Sequence, residues 1–339
     1  MIILGIETTC DETSAAIVTD GPRLLSQIVL SQAAEHGPFG GVVPELASRS
    51  HVRELTAVIE KTLAEADLTP QDLSAIAVAS QPGLVGALLV GVTTAKALAW
   101  AWEKPLIAVH HLEAHLDAPL LSTAEVDGSA VEPPYLGVIL SGGHTDLYHV
   151  EPNGRTCLGA TRDDAVGEAF DKVASILGLG YPGGPAIEKC ARDGDPTAVR
   201  LPRTLLEPDS LDFSFSGLKT AVLYKWRGQD AKGAGPIAGA PSAPDICASF
   251  QRTVGDVLVE KLKRALDRTG LSTVVFGGGV TANRALRTHL EGKIGDRARL
   301  VFPPPAFSTD NGAMIAACGL RMFRAGQFAT LDLEPSSSP

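Results

Sequence analysis

Apolar runs punctuated by glycine and polar turns divide the chain into two halves of similar layout. The first half opens with an apolar strand over residues 2–7 and a polar turn over 8–14. Strands at 15–18 and 24–30 follow, joined by the tight turn Asp20-Gly21-Pro22. Residues 45–66 carry apolar positions at helical spacing behind Pro44, a residue tolerated at a helix start. Next come a strand at 75–79, a helix over 84–100, a strand at 106–109 and a short helix bearing two histidines. Residues 122–134 are polar, acidic and proline-bearing, and read as a linker. The second half restarts with a strand at 135–140, a polar glycine turn at 141–145 and a returning strand at 146–150. Helices are expected near 167–177 and 185–191, then a longer one near 248–268 with Ser242 or Asp245 as its cap. A strand at 273–276, a helix at 281–290, a strand at 300–302 and a closing helix at 309–323 complete the pattern. Such alternation makes an α/β protein, with domains expected at 1–130 and 131–328 and a disordered tail over 329–339. Residues 228–243, rich in Gly, Ala and Pro, read as a surface insertion.

Composition narrows the function. A chain of 339 residues, 45% apolar, can bury a large core, and its 35 glycines and 23 prolines sit between apolar runs rather than in low-complexity tracts. Aromatics at 5% argue against a broad surface of stacking rings for single-stranded nucleic acid. A net charge of −10 argues against indiscriminate polyanion binding, although not against a local basic patch. The five cysteines are scattered with no C-x-x-C pair, which suits buried free thiols in a reducing compartment. The N-terminus has no basic start or cleavage site, and the apolar stretch 84–102 is interrupted by Lys96. A cytoplasmic, soluble chain is the expectation.

Candidate chemistry centres on His111 and His115. Four residues apart on a helix, the two rings stack on one face within reach of one metal ion. Alone, that spacing is more often incidental. Asp310, at the start of the closing helix, reads either as a helix cap or as a third ligand. A two-histidine, one-carboxylate set with open positions suits iron(II) or zinc. A zinc metalloprotease is disfavoured, since Leu112 stands where its glutamate would be and Glu113 falls on another helix face. Elsewhere, the turns at 8–14 and 141–145 offer hydroxyls, backbone N–H groups and little bulk, as phosphate-cradling turns do. Lying at equivalent places in the halves, they would face each other as a nucleotide clamp. Gly277-Gly278-Gly279 follows a strand without completing G-x-G-x-x-G, so adenosine is favoured over a dinucleotide, with Asn283 a candidate partner. Asp171, before the turn Tyr181-Pro182-Gly183-Gly184-Pro185, could hold ribose hydroxyls or pair with an arginine.

The ordered motifs resemble one family over residues 6–321. They are Ile6-Glu7-Thr8-Thr9-Cys10-Asp11-Glu12-Thr13-Ser14, Gly40-Gly41-Val42-Val43-Pro44-Glu45, residues 111–115 and 141–145, Asp163 to Lys172, Phe213 to Thr220, 277–283 and 308–311. The chain is similar to the universal tRNA threonylcarbamoyladenosine transferases and looks like the bacterial TsaD family. Departures are Gln81 in place of a usual glycine and Ser308 where cysteine is common. The resemblance implies an actin-like, Hsp70-like ATPase fold with two related ribonuclease-H-like lobes. It implies transfer of threonylcarbamoyl from threonylcarbamoyl-AMP to N6 of adenosine 37 in tRNAs reading ANN codons. It places metal ligands on His111, His115 and Asp310, with iron(II) expected over zinc. Donor binding falls on Leu140, Ser141, Gly142, Gly143, His144, Asp171, Gly184 and Asn283, with Glu188 added. Asp11 and Glu12 are candidates to orient or deprotonate the attacking amine, or are plain turn carboxylates. Implied partners are tRNA, a TsaB-like paralogue and a small TsaE-like P-loop ATPase. An Hsp70-like ATP-binding module is the remaining alternative, and it would need no histidine pair.

Overall fold

A computed structural model describes residues 1–123, 131–152, 154–204, 207–230, 233 and 235–338. Most of the expected linker, and residues 231, 232 and 234 of the expected insertion, lie outside the described residues. The chain forms two compact units, Met1–Val131 with Ala306–Pro339, and Glu132–Pro305. In chain order the first unit holds β1 (Ile2–Glu7), β2 (Glu12–Thr19), β3 (Arg23–Ser31), α1 (Ala33–His36), α2 (Pro44–Glu65), β4 (Ala75–Gln81), α3 (Val85–Ala101), β5 (Leu106–His110) and α4 (His111–Asp117). The second unit holds β6 (Tyr135–Leu140), β7 (Thr145–Glu151), β8 (Gly154–Ala160), α5 (Val166–Leu177), α6 (Gly183–Cys190), α7 (Ser216–Arg227), α8 (Ala243–Thr269), β9 (Thr273–Gly277), α9 (Arg284–Ile294) and β10 (Arg299–Val301). The last helix, α10 (Gly312–Arg324), returns to the first unit.

Each unit is built on one five-stranded mixed sheet, in the orders β3-β2-β1-β4-β5 and β10-β9-β6-β7-β8. In both, three strands meander antiparallel and two more add in parallel, so the second sheet repeats the first. The repeated layout read from the apolar runs is therefore structural.

In the first unit successive strand residues point to opposite faces, and both faces are covered. Leu4, Ile6, Ile17, Ile76 and Val78 pack with the helical residues Leu55, Val58, Ile59 and Val92. Ile3, Ala16, Ala77, Ile107 and Val109 pack with Ala114, Met314, Ile315 and Leu320. Small residues bring α10 flush against the strands. A Cβ on Gly5 would fall 2.3 Å from the Gly312 carbonyl oxygen, and one on Gly319 would fall 2.5 Å from Ala77 Cβ. This close seating fixes where the residues leading into α10 stand.

The structure corrects several sequence expectations. Residues 306–339 belong with the first unit, so the expected boundary at 328 and the disordered tail both give way. Ala329 N–H donates to Leu106 O (2.8 Å), and Lys96 Nζ donates to Leu333 O (3.0 Å). The helix expected at 281–290 is a turn over Gly279–Ala282 followed by α9. Strand β8 and helices α1 and α7 were not expected. β8 is an exposed edge without clean alternation. α7 buries only Leu218 and Val222, and its start is held from a distance by Asp163, which accepts from Phe215 N, Ser216 N and the Ser214 and Ser216 hydroxyls. All five cysteines are free, but only Cys247 and Cys318 are buried, and Cys157 is exposed. Among the described residues no helix is long and apolar enough to cross a membrane.

Candidate metal centre and donor-binding residues

Strand β5 runs directly into α4, so His111 stands on the first helical residue and His115 one turn later. Their rings lie edge to face, 4.6 Å apart. Asp310 Oδ1 is 3.5 Å from His111 Nε2 and 3.2 Å from His115 Nε2. One ligand atom from each of the three residues falls within 4.8 Å of the others, a group that could hold a metal ion. The capping alternative for Asp310 is answered by its neighbour. Asn311 Oδ1 accepts from Met314 N (2.9 Å) and caps α10, while its Nδ2 donates to Thr309 O (2.7 Å). Asp310 is thus released to face the histidines.

His115 supplies the test of fit. It is fully buried, and neither ring nitrogen has a hydrogen-bond partner of good geometry among the described residues, although Asp310 Oδ1 lies 3.2 Å from Nε2. A buried imidazole left this way is costly unless something else takes its lone pair. A divalent cation fits that vacancy in bonding, and the ligand chemistry suits it.

Glu7, which sequence reasoning did not single out as a functional residue, completes the centre. It is fully buried at the end of β1. Its Oε2 lies 2.9 Å from His111 Nδ1, and its Oε1 accepts from Thr9 N–H (2.5 Å). A carboxylate can only accept, so Nδ1 carries a proton, and Nε2, which faces Asp310, is the ring nitrogen left to bind a cation once it gives up its own proton. A glutamate closing an otherwise apolar, buried strand was the available signal, because an unpaired one does not survive there.

Charge crowds this end of the unit. Burial alone would lower His111, but Glu7 and Asp310 raise it well above the usual imidazole range. His115 is lowered, chiefly by burial. Burial would raise Asp310, yet His111 and His115 hold it well below the usual carboxylate range. Glu12, which opens β2, is pushed up to about 10 by burial and then by Asp310, Asp11 and Glu7. Four carboxylates therefore influence one another around two histidines, an excess of negative charge that a cation would offset. Of the expected catalytic pair, Glu12 faces Ser31 Oγ at 3.5 Å, and the Asp11 carbonyl accepts from Gln32 N (2.9 Å). Glu113 points elsewhere, 3.2 Å from Arg321, so no glutamate stands ready as a metalloprotease base on this helix.

The expected donor-binding residues lie in the second unit. After Leu140 ends β6, Ser141 N–H donates to His144 O (2.9 Å) and Ser141 Oγ accepts from His144 N (3.1 Å). Gly142 and Gly143 at the tip are exposed, with open space where a side chain would stand. Gly278 (φ +94°) passes so close to Leu140 that a Cβ would lie 2.5 Å from its carbonyl oxygen. Asp171 Oδ1 accepts from Gly183 N (2.7 Å), which anchors the start of α6. Gly183 has no room for a side chain against Asp171, whereas Gly184 faces open space. Glu188 Oε1 accepts from Arg284 N (2.9 Å). Asn283 is buried and committed: its Oδ1 caps α9 through Leu286 N (3.0 Å), and its Nδ2 donates to Gln251 Oε1 (2.6 Å). Its expected part as an adenosine partner therefore competes with two structural bonds. Glu188, Gln251 and Arg284, with Arg192 and His289, line an open pocket of about 690 Å³.

Two sheets of one repeated topology define an actin-like ATPase fold, and solved structures agree. The chain is similar to full-length HypF in its phosphate- and nucleotide-bound form, with TM-score 0.61 and 14% identity over 97% of this chain and 47% of that one. It is also similar to component A of the Acidaminococcus fermentans (R)-2-hydroxyglutaryl-CoA dehydratase, with TM-score 0.55 and 16% identity over 94% and 97%. At those identities the likeness concerns the fold alone. The family is shown by sequence. The family model for tRNA N6-adenosine threonylcarbamoyltransferase (TsaD) matches residues 23–317. Relatives of that name are 49% identical over 335 residues in Bacillus cereus (98% of this chain, 94% of the relative) and 48% over 341 in Syntrophobacter fumaroxidans (99% of each). A third, from an Anaeromyxobacter species, is 50% identical over 340 residues (98% of each). The chain belongs to the tRNA N6-adenosine threonylcarbamoyltransferase family, and is an acyltransferase of tRNA modification.

Proposed function

We propose that the chain moves the threonylcarbamoyl group from threonylcarbamoyl-AMP to N6 of adenosine 37 in tRNAs reading ANN codons, using a divalent metal held by His111, His115 and Asp310. The carrying observation is the convergence of two imidazole nitrogens and one carboxylate, with His111 oriented from behind by Glu7. Two histidines and one carboxylate with open positions favour iron(II) over zinc. When bound, such an ion supplies Lewis-acid polarisation of an acyl oxygen.

The chain's own residues supply the rest. The exocyclic amine of adenine is conjugated to its ring and attacks weakly, so placement and charge stabilisation carry more than a strong base. Asp11 and Glu12 orient that amine, and Asp11 takes up its proton as the bond to the carbamoyl carbon forms and AMP leaves; Glu12, which burial and its acidic neighbours hold protonated in the free chain, serves to orient. Leu140, Ser141, Gly142, Gly143, His144, Asp171, Gly184, Glu188 and Asn283 bind the adenylate donor, the exposed glycine tip at 142–143 suiting close approach of phosphate.

A net charge of −10 is poor for binding tRNA unaided. A TsaB-like paralogue and a TsaE-like ATPase in the cytoplasm are the partners that would complete the RNA surface, and the isolated chain should turn over weakly. The test is transfer to tRNA in the complete system by wild type and His111→Ala, followed as threonylcarbamoyladenosine in digested tRNA. Loss of product with an unchanged circular-dichroism spectrum supports the proposal; full activity in the variant overturns it.

A further inference from the structure

The loop following α1 is built in a way that the proposed metal and donor residues do not explain. Residues 37–41 read Gly-Pro-Phe-Gly-Gly, with Gly40 in the left-handed region (φ +71°) and open space at the Cβ positions of Gly37, Gly40 and Gly41. At its tip Phe39 is 64% exposed. In the free chain this ring stands in water, on a turn whose glycines press against nothing.

Beneath the loop runs a buried chain of hydrogen bonds with one consistent direction. Val43 N–H donates to His36 Nδ1 (3.2 Å), His36 Nε2 to Gln32 Oε1 (3.1 Å), Gln32 Nε2 to His51 Nδ1 (3.3 Å), which the Thr13 hydroxyl also meets at 2.7 Å, and His51 Nε2 to Cys10 O (3.0 Å). In this arrangement each imidazole accepts through one nitrogen and donates through the other. His36 and His51 are fully buried and Gln32 nearly so. Gln32 N–H also donates to Asp11 O (2.9 Å), and Ser31 pairs with Glu12 in the sheet. The loop that displays Phe39 is thus tied at both ends to the segment carrying Asp11 and Glu12. One helical turn and one tighter turn separate Gln32 from Phe39, a span of about 12 Å at most.

Other exposed rings lack that link. Trp100 stands near the far end of α3, Tyr224 belongs to the second unit, and Phe328 packs edge-on against Phe323.

We propose that Phe39 is a base-stacking residue, which receives a nucleobase of the tRNA at the acceptor site, and that the His36–Gln32–His51 relay holds it in register with Asp11 and Glu12. This rests on the reading of those two carboxylates as the groups that meet the acceptor adenine. Nucleic-acid loops are read chiefly by unstacked bases laid on aromatic faces, and an enzyme acting on a base must take it from its stack. One platform serves here, which agrees with a chain poor in aromatics.

The test is steady-state transfer in the complete system, with tRNA and donor varied separately. Phe39→Ala should raise KM for tRNA about 5- to 100-fold, the range for one base on one ring. KM for the donor should not change, nor should the melting temperature, since the ring is exposed. Phe39→Tyr and Phe39→Trp should restore tRNA binding; Phe39→Leu, which keeps apolar area but no π face, should not. His36→Ala should raise KM for tRNA as well. An unchanged KM for tRNA in Phe39→Ala would overturn the inference. So would a Phe39→Leu variant equal to wild type with Phe39→Ala failing to assemble with its partner proteins, which would make the ring a protein contact. Because wild type is assayed alongside, failure of the proposed reaction itself would show as absence of product in every sample.

Discussion

Replacing Glu7 by glutamine tests the metal centre without touching a ligand. The carboxylate accepts twice, from Thr9 N–H through Oε1 and from His111 Nδ1–H through Oε2 (2.9 Å). Glutamine offers one acceptor and one donor in the same shape. If the amide nitrogen faces Thr9, a buried N–H loses its partner and meets another donor. If it faces His111, the ring must carry its proton on Nε2, aimed at Asp310 and no longer able to bind a cation. Either choice costs about 1–3 kcal/mol, which matches the roughly 10- to 100-fold loss of metal affinity that follows removal of such supporting groups. Metal-stripped wild type and Glu7→Gln would be titrated with Zn2+ against a chromophoric chelator. The expected result is a dissociation constant at least tenfold weaker in the variant, with the same stoichiometry. Equal affinities would refute the reasoning that Glu7 fixes the His111 tautomer.

Other expectations concern the frame around the site. Asn311→Ala should lower stability by about 0.5–2 kcal/mol in urea denaturation through loss of the α10 cap, and should weaken metal binding by loosening Asp310. Gly5→Ala places a methyl 2.3 Å from the Gly312 carbonyl oxygen and 2.5 Å from Ala316 N, both backbone atoms; a loss of about 1–3 kcal/mol or more is expected, read as a fall in melting temperature. Asp163 is held below its usual pKa because its hydrogen bonds to Ser214, Ser216 and Phe215 outweigh the effect of burial. A depressed carboxylate stabilises the fold above its unfolded pKa and loses that contribution as pH falls. The stability gap between wild type and Asp163→Asn should thus be constant above about pH 5 and shrink below it; a gap that grows on acidification would contradict the assignment.

Much of this protein could be read from its residues, and the exceptions share a cause. Long buried strands and amphipathic helices announced themselves because burial on two faces demands continuous or periodic apolar runs. His111 and His115 were legible from spacing, and Asp310 as a candidate third ligand from its place at the start of a helix. The capping choice was settled only by geometry, because Asp310 and Asn311 are adjacent and either could cap. Glu7 looked like the polar end of a strand until its partner 104 positions away was in place. α7 escaped because a residue about 50 positions earlier holds its start, information that no local pattern carries. Asn283 lay where an adenosine partner was expected and proved to be bonded within the fold at both ends of its amide. The misplaced domain boundary has a similar origin, since nothing in α10 itself says which sheet its small residues will fit.

The most direct measurement pairs metal content with transfer in wild type and Asp310→Asn, both purified without added metal and assayed with tRNA and the adenylate donor in the complete system. If His111, His115 and Asp310 form the centre of this tRNA-modifying enzyme, wild type carries about one divalent ion per chain and makes threonylcarbamoyladenosine, and the variant loses both while keeping its fold. A variant that remains metal-free yet transfers the group at the wild-type rate would contradict that assignment.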